Sequence, residues 1–246
     1  MHEHPEQVSL LNIFRVKTVV EIGCGSGDMT KVLTEAIPNY SRFLSLDIDP
    51  VMVQHASQVN SGKGVEFVVQ DFNVPFDNMD PKLQQLENEV DLIWSNYVLH
   101  FMKPKNRVQA LQAVRRLLKD NGMVYVNIPL TGNLLNYWSP ERRVALGMLL
   151  KIPNNDDQEA SWKREFVQAG LHINFTKIRH RETTLIRSKL KPYTNLISSA
   201  ASVHLTEEEK TEETLTLLKD LSDVSTQDLD DKVYMHEVIL SLVATK

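Results

Sequence analysis

The stretch Val19-Val20-Glu21-Ile22-Gly23-Cys24-Gly25-Ser26-Gly27-Asp28 restricts what this chain can fold into more than any other. An apolar run of strand type enters three glycines at alternate positions, and helical spacing follows through Met29, Val32, Leu33 and Ala36. Strand, glycine turn and helix in that order is how an open α/β sheet presents its backbone to a ligand, beyond the carboxyl ends of the strands. Glycines there let the backbone turn tightly and lie close to what is bound.

The rest of the chain agrees with such a sheet. Apolar runs at 17–22, 42–46, 65–69, 91–95 and 123–128 read as strands, and helical spacing at 28–36, 50–59 and 106–119 fills the intervals. Pro50 stands in the first turn of its helix, where the missing N–H costs nothing. Asp120-Asn121-Gly122 is a helix-stop and turn signal. The alternation predicts a parallel sheet covered on both faces. A short helix is expected at 5–15, a helix at 159–169 closed by Gly170, a β-rich stretch at 171–186 and a final strand at 233–243. The acidic segment 206–221 has helical spacing and opens with Thr206 and Glu209 in a capping-box pattern. With no clean linker, residues 1–246 read as one domain.

The net charge of −5 over 246 residues is wrong for general phosphate-backbone binding, so no nucleic-acid partner is expected. The basic residues between Lys177 and Lys191 read either as a solvated hairpin and loop or as a local basic patch. A single cysteine, Cys24, fits a reducing compartment. The opening residues lack the basic start and apolar run of a secretory signal, and no window approaches the roughly 20 apolar residues of a membrane span. The expectation is a cytoplasmic protein.

The turn discriminates among ligands. The dinucleotide fingerprint would need a glycine where Asp28 stands, and no Gly-Lys-Ser/Thr follows to make a P-loop. A pyrophosphate at a helix N-terminus wants donors and positive potential. Acids on both sides of the glycines, Glu21 and Asp28, instead suit a cationic ligand without phosphate. S-adenosylmethionine, with its sulfonium, α-ammonium and adenosine, meets that description. Glu21, Gly23, Gly25 and Gly27 then form its cradle. Asp47, at the end of the second strand with Ile48 beside it, is placed to accept both ribose hydroxyls. Asp71 ends the third strand, where it can accept from the adenine amino group while Phe72 packs on the ring. Ser95 and Asn96 end the fourth strand at the same sheet edge.

These segments, with Leu46-Asp47-Ile48-Asp49-Pro50, Gln70-Asp71, Asp91-Leu92-Ile93-Trp94-Ser95-Asn96 and Leu118-Lys119-Asp120-Asn121-Gly122, resemble the successive signatures of class I S-adenosylmethionine-dependent methyltransferases over residues 16–130. The resemblance implies a Rossmann-like, doubly wound seven-stranded sheet, mostly parallel with one antiparallel strand near the C-terminus. It makes 16–130 the cofactor-binding core and 131–246 the substrate-side helices and last strands. Ser95-Asn96-Tyr97-Val98-Leu99-His100-Phe101 is similar to the post-strand segment of small-acid methyltransferases. Together with Trp162-Lys163-Arg164-Glu165-Phe166 and Lys191-Pro192-Tyr193 it resembles the arthropod juvenile hormone acid methyltransferase group, which esterifies a terpenoid acid. That group has a longer region before its first strand, so the expectation here is either a reduced lid or a shortened form of the chain.

The expected reaction is O-methylation of a small carboxylic acid such as a terpenoid or fatty acid. The transfer is an in-line displacement in which the protein chiefly aligns the reactants and excludes water. A carboxylate is already ionised at neutral pH and needs no base. His100 hydrogen-bonds the acceptor, or acts as base for a hydroxyl substrate, or braces the helix after the fourth strand. Trp138 either faces the substrate through its indole N–H or packs in the core, and the apolar helix at 144–150 is either pocket wall or core. Cys24 is either a reactive thiol or a small packed residue. A hydroxyl or amine acceptor, and a non-catalytic cofactor-binding relative, stand as alternatives.

Overall fold

The computed structural model describes residues 16–102, 104–130, 154–186 and 232–246. Seven strands form one sheet: β1 (Thr18–Ile22), β2 (Arg42–Asp47), β3 (Val65–Val69), β4 (Val90–Asn96), β5 (Leu118–Pro129), β6 (His172–Ile186) and β7 (Lys232–Thr245). Their order is β3-β2-β1-β4-β5-β7-β6, mostly parallel with an antiparallel pairing near the C-terminus, as the resemblance implies. Helices α1 (Asp28–Ala36), α2 (Pro50–Val59), α3 (Pro81–Gln84), α4 (Pro104–Leu117) and α5 (Asn155–Gln168) connect them. The strand order reverses between β1 and β4, and β2 and β4 pair parallel to β1 on its two edges. That reversal is the switch point where open α/β sheets bind ligands.

The chain divides into two compact units. The first holds residues up to 128 with 161–177 and 241–246. Its strands are apolar on both faces, as a doubly covered sheet requires. Val19, Leu33, Phe43, Leu92, Trp94 and Tyr125 form a core in which the Trp94 and Tyr125 rings stack 4.4 Å apart. The second unit comprises 129–160 and 178–240; within it the Leu130 N–H donates to the Val238 carbonyl at 2.8 Å. Among the described residues, no helix is long and apolar enough to cross a membrane.

Local signals explain the boundaries. Asp49 caps α2 by accepting the Val51 N–H at 2.8 Å, with Pro50 next to it. Gly170 follows α5 at φ +81. The turn expected at 120–122 lies inside β5 instead. Asn121 adopts φ +65, and the pairing of β4 with β5 shifts between Val90 and Leu92. A Cβ on Gly122 would lie 2.5 Å from the Val90 carbonyl, so the glycine permits a close backbone approach at this irregularity. Helix α4 therefore passes straight into the strand at Leu118. The expected helices at 5–15, 144–150 and 206–221 lie outside the described residues.

Candidate functional site

All three glycines of the turn are left-handed, at φ +80, +50 and +86 for Gly23, Gly25 and Gly27, a region other residues adopt rarely. The N–H groups of Gly23 and Cys24 both donate to the Leu46 carbonyl, at 2.7 and 2.8 Å, which pins the turn to the end of β2. Gly27 packs against α2: a Cβ there would meet Asn60 Nδ2 at 2.5 Å and Ala56 Cβ at 3.0 Å. A Cβ on Gly25 meets nothing within 4 Å, so this glycine borders open space.

Asp47 organises the site more than its position suggests. Its Oδ2 accepts the Gly25 N–H at 2.8 Å, its Oδ1 the Asp49 N–H at 3.0 Å, and its carbonyl the Gln70 N–H at 2.8 Å. The ends of β1, β2 and β3 thus meet on one residue. An ionised carboxylate offers about four lone-pair sites, so two remain for a ligand diol. Asp71 is held similarly: its Oδ1 accepts from the Asn73 backbone N–H at 2.7 Å and from Asn73 Nδ2 at 2.8 Å. Phe72, expected to pack on the nucleobase, is buried, whereas Ile48 beside Asp47 is exposed, so the accessible apolar face is that of Ile48.

Glu21 is 1% exposed beneath the turn. The hydroxyls of Thr30 and Ser45 donate to its Oε2, while its Oε1 has no hydrogen-bond partner. Burial pushes its carboxyl up to about 7, against the two hydroxyl bonds, with a smaller push from Asp47. A half-satisfied buried carboxylate, with no ion pair among the described residues, fits a cationic ligand. Cys24 is also buried and its thiol is pushed up to about 12, by burial first and then by the charges of Glu21 and Asp47. It is a packed thiol, not a nucleophile.

Glu21's raised value has a consequence for stability. The folded state holds this proton more tightly than the unfolded chain does, so the contribution is full below pH 4.5 and is lost as pH rises through about 7. By pH 8 the loss is of order 3 kcal/mol. Glu21→Gln should therefore melt increasingly above the parent protein as pH goes from 5 to 8. Thermal unfolding of both at each pH checks this, and a constant gap would contradict it.

At the end of β4, Ser95 is buried with no partner for its Oγ, and Asn96 accepts from Asn127 Nδ2 at 2.9 Å. His100 lies in a 3-10 turn, Leu99–Phe101, its ring against Phe101 and its Nδ1 buried without a partner. Burial, then the nearby Arg107 guanidinium, pushes its imidazole down to about 3. It is neutral throughout the physiological range. Arg107 in turn lies 4.2 Å over the Trp162 ring and 3.7 Å from Glu165. Trp138 lies outside the described residues.

The structure adds residues that pattern reading passed over. Thr30, Ser45, Asn73 and Asn127 each hold an expected site residue. Asn127 had a signal: a lone amide within the apolar run Val124-Tyr125-Val126-Asn127-Ile128. Asn73→Ala should weaken binding of an adenosine ligand about tenfold, since Asp71 loses a donor that fixes its orientation. Titration calorimetry checks this; unchanged affinity would mean that the backbone N–H alone suffices.

Residues 19–122 match the family model described as a methyltransferase domain. The phosphoethanolamine N-methyltransferase 1 of Triticum aestivum is 24% identical over 126 residues, covering 50% of this chain and 24% of that protein. The fold resembles that of the [4+2]-cyclase SpnF, at 14% identity and TM-score 0.58 over 98% of this chain and 79% of that one. It also resembles geranyl diphosphate methyltransferase in complex with S-adenosylmethionine, at 12% identity and TM-score 0.52 over 98% and 84%. The chain spans less than half the length of the curated relatives it matches.

Proposed function

With residues 19–122 as an S-adenosylmethionine-dependent methyltransferase domain, we propose that the whole chain, 1–246, works as one domain that methylates a small carboxylic acid such as a terpenoid or fatty acid. The observation that carries the cofactor assignment is the turn itself: three left-handed glycines tied to Asp47, above a buried carboxylate with an unpartnered oxygen. When bound, the cofactor supplies a methyl group already activated by a sulfonium. Glu21 offers its free oxygen to positive charge, Asp47 and Asp71 orient the nucleoside, and Ile48 gives it an apolar face. Residues 131–246 supply the acceptor side.

A carboxyl acceptor fits the 95–101 segment, which resembles that of the juvenile hormone acid methyltransferases, and it asks for no base. An amine or hydroxyl acceptor is a second reading. The wheat relative is named for phosphoethanolamine, and His100 is a neutral imidazole with an unpartnered nitrogen. Fold alone does not choose between chemistries, since a cyclase shares it.

Methyl-labelled S-adenosylmethionine, offered with long apolar acids, phosphoethanolamine or phenolic alcohols in separate reactions, tests this. The expected product is an alkali-labile ester formed from the acids, with His100→Ala keeping turnover within about tenfold. Label that resists alkali, and is lost entirely in His100→Ala, would establish the second reading. Saturable cofactor binding without turnover on any acceptor would mark a non-catalytic relative.

A further inference from the structure

We propose that Asn127 is a positioning residue of the cofactor site, fixing the segment after β4 so that Val98 seats the glycine turn at Gly23. The inference rests on the cofactor reading above.

Asn127 is 2% exposed near the end of β5. A buried amide costs free energy unless its groups are paired, and here both ends of the side chain are. Its Oδ1 accepts from Ser241 Oγ of β7 at 2.8 Å and from the Tyr125 hydroxyl at 3.2 Å. Its Nδ2 donates to Asn96 Oδ1 at 2.9 Å, and its carbonyl accepts the Tyr97 N–H at 2.9 Å. The amide thus joins three strands and grips Asn96, while the main-chain carbonyl of the same residue holds Tyr97, where β4 leaves the sheet.

What it grips is an unusual backbone. Tyr97 sits at φ +61, a left-handed conformation that a bulky residue holds only when its surroundings impose it. That conformation delivers Val98 onto the turn: a Cβ on Gly23 would lie 2.0 Å from Val98 Cγ2. Gly23 is itself at φ +80 with its N–H on Leu46. The side chain therefore links β5 and β7 to Asn96, the residue from which the loop that would touch the ligand departs. Sheet register does not need it, because the ladder pairs Ser95 with Val126 and Asn96 with Asn127 through the backbone. A leucine, with the same γ-branched skeleton, would serve packing alone.

The test is titration calorimetry of the full chain with S-adenosylmethionine and S-adenosylhomocysteine, for the parent, Asn127→Leu and Ser241→Ala. Each is measured well below its own melting temperature. Asn127→Leu should weaken both ligands at least about tenfold, since Asn96 loses the side chain that orients it and only the main-chain bond to Tyr97 remains. Ser241→Ala, which leaves the bond to Asn96 intact, should stay within about threefold. Equal affinities for parent and Asn127→Leu, or losses that only track melting temperature, would overturn the inference. If Asn127→Leu fails to fold, hydrogen exchange on the parent decides. Saturating S-adenosylhomocysteine should slow the Tyr97 and Val98 amides together with Gly23 and Gly25; protection of the glycines alone would overturn it. A folded parent that binds neither ligand would sink the cofactor reading, and this inference with it. A parent that binds beside an unaffected Asn127→Leu would sink only this one.

Discussion

Asp47→Ala should abolish saturable binding of S-adenosylmethionine, a loss of at least about 100-fold, while leaving a folded protein. The carboxylate has two duties. It receives the Gly25 N–H on one oxygen and the Asp49 N–H on the other, so it sets the glycine turn and the start of α2. Its remaining lone pairs face the ribose in the proposed complex. Hydrogen bonds to a charged group are worth about 1.5–3 kcal/mol each, so loss of two accounts for the 100-fold. The cost to the fold is smaller, because both backbone groups are only part-buried and reach water once the side chain is gone. A drop in melting temperature of about 5 °C is expected. Asp47→Asn separates the duties: it keeps one acceptor oxygen and should lie between the parent and alanine. Calorimetry with thermal unfolding on all three proteins checks this. Alanine binding within tenfold of the parent would remove Asp47 from the site.

The reasons why some of this site was legible in the sequence and some was not are physical. Asp47 could be found because a strand end, a spacing and a following Asp49-Pro50 helix start all lie within a few residues. The glycine turn is legible for the same reason: its positive φ angles are a local demand that glycine meets. The supports are different. Ser45 reaches Glu21 across 24 residues, Asn127 reaches Asn96 across 31, and Ser241 reaches Asn127 across 114. No periodicity records such pairings, because they exist only once the strands are side by side. The interval between β3 and β4 was unreadable for another reason. Asp80 does cap a helix, accepting the Lys82 N–H at 2.8 Å with Pro81 beside it, but α3 is four residues long and has no apolar period. At 120–122 the turn residues do turn the chain, but Asn121 does so within a strand, where only the pairing of β4 with β5 shows the irregularity.

Two glycines of the turn before α1 should respond differently to the same methyl group. Gly23→Ala places a Cβ 2.0 Å from Val98 Cγ2 and 2.9 Å from Cγ1 at φ +80, so either the valine or the turn must move. Overpacking costs about 1–3 kcal/mol and the left-handed backbone about 1–2 more. Together these are a large share of the 5–15 kcal/mol that holds a typical domain folded. Gly23→Ala should therefore melt far below the parent or be recovered unfolded. Gly25→Ala meets no atom within 4 Å and bears only the backbone strain at φ +50. It should fold with a melting temperature a few degrees below the parent. The same methyl then occupies the open space beside Asp47, where the ligand must approach the backbone, and affinity for S-adenosylmethionine should fall at least about 30-fold. Circular dichroism melts and calorimetry on the two variants decide the matter. A Gly25→Ala protein that binds like the parent would show that the ligand does not lie against this turn. A Gly23→Ala protein as stable as the parent would show that Val98 does not seat it.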